Sequence, residues 1–138
     1  MRANSRKRDR DYAAHGPARK SFLSEFGGRC WIPDCSDGWS VSVHEITAGK
    51  NRMRAFGVRA LWLPACGACN CDRLTDKKSF SYARQLAIKL LIDPRYFDLS
   101  EFRRVMAPEG CRNPPVVVTE MEVLEEVRLQ LVHEGHRL

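Results

Sequence analysis

The 138-residue chain has no run of about 18 or more apolar residues, so nothing in the sequence reads as a membrane-spanning helix. Its basic, polar N-terminus is not followed by an apolar stretch. The expectation is therefore that there is no secretory signal and that the chain is cytoplasmic. Internal repeats are absent. Glycine and proline cluster at Gly16-Pro17, at Gly27-Gly28, and in the segment from Pro108 to Pro115.

The length is that of one domain with appendages. An apolar fraction of 43% supports a modest core, and small cores often need a staple such as a metal. The net charge of +6 is unevenly spread. Arg2, Arg6, Lys7, Arg8, Arg10, Arg19 and Lys20 crowd the first twenty residues, whereas Pro115 to Leu138 is rich in glutamate. One end is thus suited to a polyanion and the other is not. The bland alternative is a charged, solvated leader.

Residues 1–17 read as a disordered basic tail. Residues 18–107 read as the folded unit, and 108–138 as a linker with a C-terminal helix. Phe22, Leu23 and Phe26 lie on one helical face, and Gly27-Gly28 ends that helix. Trp39 to Ile46 opens with strict apolar–polar alternation, the period of a half-buried strand that ends at His44. Arg59 to Pro64 is the candidate second strand, across a loop from Thr47 to Val58. A helix should open at Cys69 and run to about Lys78. The spacing of Phe80, Ala83, Leu86, Ala87, Leu90 and Leu91 predicts a core-facing helix over Ser79–Ile92, ended by Asp93-Pro94. Pro94 to Met106 follows as a short helix with Tyr96, Phe97, Leu99 and Phe102 turned inward. Thr119 to His133 carries a capping box, Thr119 with Glu122. The fold class is small α+β.

Six cysteines would suffice for three disulfides, but with no secretion signal and such short spacings they read as metal ligands. Cys30-x4-Cys35 and Cys66-x2-Cys69 each form a tight turn that aims two sulfurs at one point, which suits a tetrahedral structural zinc. Cys71 is a competing ligand and Cys111 a free thiol. A zinc closed by four thiolates has no open position, so any chemistry must come from other residues. His44 lies between the two pairs, and Asn70 follows the last zinc cysteine directly.

This arrangement, from Phe26 to Lys78, resembles the zinc-braced, four-cysteine branch of the HNH endonucleases of phages and bacteria. The resemblance implies a ββα-metal core that hydrolyses DNA phosphodiesters. His44 would be the general base, a role that suits an imidazole at neutral pH. Asn70 would hold a catalytic Mg²⁺ at the start of the helix. Lys50, Arg52 and Arg54 in the loop between strands, with Lys77 and Lys78 after the helix start, would contact the DNA backbone.

Two positions depart from the family pattern. The residue before the base, ordinarily a second metal ligand, is Val43, and the middle asparagine is Leu61. Glu45 is the carboxylate available to replace the ligand lost at Val43. It either takes over as the Mg²⁺ ligand, or helps activate water while His44 binds the metal, or metal binding is lost. The alternative function is a non-catalytic zinc module that binds DNA or protein on a degenerate HNH scaffold. A third reading is a partner-binding protein that docks through Met121, Leu124, Val127 and Leu131 of the C-terminal helix.

Overall fold

In the computed structural model, which describes residues 3–35, 38, 40–47, 49–107 and 117–134, the chain opens with a long helix, α1 (Ala3–Glu25). The expected disorder over 1–17 is corrected for residues 3–17, which are helical. Charge and the Gly16-Pro17 pair argued for a leader, and Pro17 does cost α1 one backbone hydrogen bond. Tertiary contacts hold the stretch instead. The Tyr12 ring meets Phe56 edge-on at 4.7 Å. The Arg19 guanidinium lies 3.8 Å over the same ring and donates to the Phe56 carbonyl. Gly57 completes this dock: a Cβ there would stand 2.5 Å from the His15 ring. α1 ends in a Schellman turn, with the Gly28 N–H donating to Leu23 O and the Gly27 N–H to Ser24 O, both glycines at positive φ.

Two short antiparallel strands follow, β1 (Ser42–Glu45) and β2 (Trp62–Ala65), with Val43 opposite Pro64 and His44 opposite Leu63. Both are shorter than the alternation suggested. Trp39 lies outside the described residues, and Arg59–Leu61 winds into a 3₁₀ turn before β2. The connecting segment is partly helical: a 3₁₀ turn over Gly49–Asn51, then α2 (Arg52–Ala55). Neighbouring strand residues face opposite ways. Val43 is therefore buried with Phe22 and Trp62 against α1, while His44 bonds to residues on the other side of the sheet. Fully burying a side chain such as Phe22 stabilises by roughly 1.5–3 kcal/mol, which anchors α1 to the sheet.

The helix expected over Cys69–Lys78 is reduced to a π-helical turn, Cys69–Arg73, closed by the Leu74 N–H donating to Cys69 O. α3 (Tyr82–Ile92) starts at Ser81, whose side chain accepts from the Arg84 N–H. α4 (Leu99–Met106) is capped by Asp98. Phe102 is buried as expected, but Tyr96 is exposed, with the Arg59 guanidinium 3.9 Å over its ring. α5 (Glu120–His133) has both halves of the predicted capping box. Val118 and Val123 join the main core with Ile46, Leu63, Leu86 and Phe102, so α5 belongs to the same packed body as α3. The expected linker over 108–115 lies outside the described residues, as does Cys111. The described part of the chain is α+β, and none of its helices is long and apolar enough to cross a membrane.

Candidate functional site

The four cysteines singled out by spacing converge. The Sγ atoms of Cys30, Cys35, Cys66 and Cys69 all lie within 4.8 Å of one another, and those of Cys35 and Cys66 are 3.5 Å apart. Sulfurs around a tetrahedral ion bound at about 2.3 Å stand roughly 3.8 Å apart, so the cage has the right size for a metal. Local geometry makes it. Asp34 takes a positive φ of 61° in the first turn, and the Trp31 N–H donates to Pro64 O, fastening that turn to the end of β2. The π turn carries Cys69 inward and leaves Cys71 exposed, which excludes Cys71 from the sulfur cluster.

Arg73 is a member of this site that spacing did not reveal. Its guanidinium donates to Cys69 Sγ at 3.4 Å and to Pro33 O at 2.6 Å, joining the two cysteine turns. Only its place four residues after Cys69, on the same face of a helical turn, hinted at it. The thiols do not titrate alike. Burial pushes Cys66 up, but hydrogen bonds from the Cys69 backbone and the neighbouring thiols outweigh it and bring Cys66 to about 7. Burial and the adjacent thiols push Cys69 up. Thiols packed this closely ionise one at a time unless a cation balances them.

Beside the cage lies an open cleft of about 610 Å³ whose lining includes His44, Glu45, Arg52, Asn70, Cys71 and Lys77. His44 and Asn70, 26 residues apart in sequence, meet here: His44 Nδ1 is 2.9 Å from Asn70 Oδ1. On its other side His44 Nε2 is 2.8 Å from Oε1 of Gln85, a fully buried α3 residue absent from the sequence expectations. A buried glutamine on a helix otherwise facing core was the available signal. His44 is 6% exposed, and burial holds its pKa below the usual histidine value against the opposing pull of Gln85 and Asn70. Asn70 Nδ2 donates to Ser42 Oγ at 3.3 Å.

Glu45 is buried and electrostatically engaged. Its Oε1 is 2.7 Å from Arg19 Nη2 and its Oε2 is 3.4 Å from Arg52 Nε. Val43, on the same face of β1 as Glu45 and opposite to His44, is packed in apolar surroundings. Leu61 is fully buried in the core.

The basic residues separate. Arg52 and Lys77 line the cleft. Burial holds Lys77 below the ordinary lysine value, and its Nζ donates to Leu74 O at 2.6 Å. Arg54 is exposed and reaches the Arg104 carbonyl at 3.4 Å. Lys78 lines a different depression with Asp34 and Arg84. The Lys50 side chain lies outside the described residues.

None of the protein-family models, curated proteins or solved structures compared with this chain matches it.

Proposed function

We propose that the chain is a metal-dependent HNH-type endonuclease that hydrolyses DNA phosphodiesters on a zinc-braced ββα core. The observation that carries this reading is the His44–Asn70 pair at 2.9 Å in an open cleft, immediately beside the four-sulfur cage. β1 and β2 are compatible with the two strands of such a core, with the π turn standing where its helix would start. The ion this cage would hold is zinc, because four thiolates in tetrahedral proximity are its preferred donor set, and its role would be structural.

Within the cleft His44, kept neutral by burial, accepts a proton from the attacking water. Arg52 and Lys77 supply positive charge at the same surface and hold the phosphate by its oxygens. Asn70 would offer its amide oxygen to a divalent cation such as Mg²⁺. The donors fit that cation only in part. Glu45, the only carboxylate lining the cleft among the described residues, already faces two guanidinium groups. Magnesium sites ordinarily use one or two carboxylates. A divalent cation bound there would stabilise charge on the phosphoryl oxygens.

The second reading is a non-catalytic zinc module that binds DNA or protein. It is favoured by Val43, buried where the family places a metal ligand. Relaxation of supercoiled plasmid with and without Mg²⁺ separates the two. Cation-dependent nicking supports the enzyme. DNA binding without nicking across Mg²⁺, Mn²⁺ and Ni²⁺ supports the module.

A further inference from the structure

Gln85 sits in the first turns of α3 with no exposed surface, and its side chain makes three hydrogen bonds. Its Nε2 donates to Leu74 O and to Phe80 O, each at 3.0 Å. Its Oε1 is 2.8 Å from His44 Nε2. Both amide hydrogens are therefore spent on backbone carbonyls. Turning the amide over would set its oxygen against two carbonyl oxygens in a fully buried site, so the orientation follows from the network itself. An oxygen held this way only accepts. His44 Nε2 must then carry the hydrogen, since the other neutral tautomer would set a nitrogen lone pair against an oxygen lone pair at 2.8 Å.

We propose that Gln85 is the positioning residue of the cleft, fixing neutral His44 as the Nε2–H tautomer and leaving the Nδ1 lone pair turned toward Asn70 and the cleft. Asn70 is free to match this. The Ser42 hydroxyl donates or accepts equally well, so the Asn70 amide can present its NH₂ to His44 Nδ1 and its oxygen to Ser42 in the resting cleft; on the endonuclease reading the amide would turn away from Nδ1 to leave that lone pair to the attacking water. Gln85 also ties three pieces together. Leu74 closes the π turn, Phe80 precedes α3, and His44 lies on β1, so one side chain sets the imidazole relative to both the cysteine cage and α3. The catalytic consequence rests on the endonuclease reading; the tautomer does not.

The test is long-range ¹H–¹⁵N NMR of the zinc-loaded full chain above the His44 pKa, paired with nicking assays. In the wild type Nε2 should show the shift of a protonated ring nitrogen and Nδ1 that of an unprotonated one. The Gln85→Leu variant should lose this preference and show both tautomers. Its kcat for nicking should fall about tenfold to a hundredfold with little change in KM, the usual effect of removing a partner that orients a functional histidine. A wild-type signature of Nδ1–H overturns the proposal, and so does a Gln85→Leu variant whose tautomer is unchanged. If Gln85→Leu does not fold, the wild-type spectrum alone decides. A protein that shows the expected tautomer yet never nicks DNA removes the endonuclease reading and leaves the tautomer assignment standing.

Discussion

Glu45 sits between Arg19 and Arg52, and its value to the molecule depends on which of them it serves. With 6% of its surface exposed and Arg19 at 12%, the inner pair is close to fully buried. Removing the charge from one partner of such a pair leaves the other uncompensated. Glu45→Gln keeps shape and one acceptor, so the expected loss of stability is about 1–3 kcal/mol. Thermal denaturation measures it. If Glu45 were instead a metal ligand unconstrained by arginine, the same change would raise the Mg²⁺ requirement and leave the melting temperature unmoved. The residues of this cleft were unequally legible in the sequence. His44, Asn70 and the four cysteines stood out because their chemistry and spacing are unusual together. Gln85 and Arg73 did not, because each acts through one long-range contact that no local pattern encodes.

At the scale of elements, α3 is held to β2 by a buried charge cluster. Lys89 Nζ donates to Asp93 Oδ2 at 2.6 Å and to Trp62 O at 3.1 Å, and Arg59 adds a second cation to Asp93 at 3.2 Å. The two members of the Lys89–Asp93 pair are not equivalent under mutation. Asp93→Ala strands the fully buried Lys89 and should cost roughly 3–5 kcal/mol by urea denaturation, whereas Lys89→Met leaves Asp93 paired with Arg59 and should cost much less. The same lysine sets a pH trend. Burial brings Lys89 down from 10.5 to about 8, so between these values the unfolded chain binds more protons than the folded one. The stability contributed by this group then rises with pH across that window. Urea midpoints at pH 7.5 and 9.5 should show that rise in the wild type and lose it in Lys89→Met. Elements were legible where side-chain pattern and capping agreed, as in α3 and α5. Residues 3–17 were misread because their helix depends on Tyr12, His15 and Arg19 meeting Phe56 and Gly57, a contact made some forty residues away. The π turn was misread because its end is set by the cage and by Arg73.

For the molecule as a whole, the cysteine cage joins the turn between α1 and β1 to the turn after β2, and a bound structural ion would contribute on the order of 10 kcal/mol or more to folding. Cys66→Ser should therefore unfold the region between α1 and α3, and elemental analysis of the folded, reduced wild type should give one zinc per chain. A folded sample without metal would contradict that. The α+β class and the cage were readable from sequence. The docking of α1 and the sharing of one core by α5 and the sheet were not, since both are consequences of packing. The central claim, that His44 is the general base of a nuclease, is tested most directly by plasmid nicking with wild type and His44→Ala side by side in Mg²⁺. The variant orphans Gln85 Oε1 and should lose about 1–3 kcal/mol of stability, so its fold and zinc content are checked first. With those intact, nicking should fall by about 10² to 10⁴. Equal nicking by the two proteins, or none by a zinc-loaded wild type that binds DNA, would contradict it.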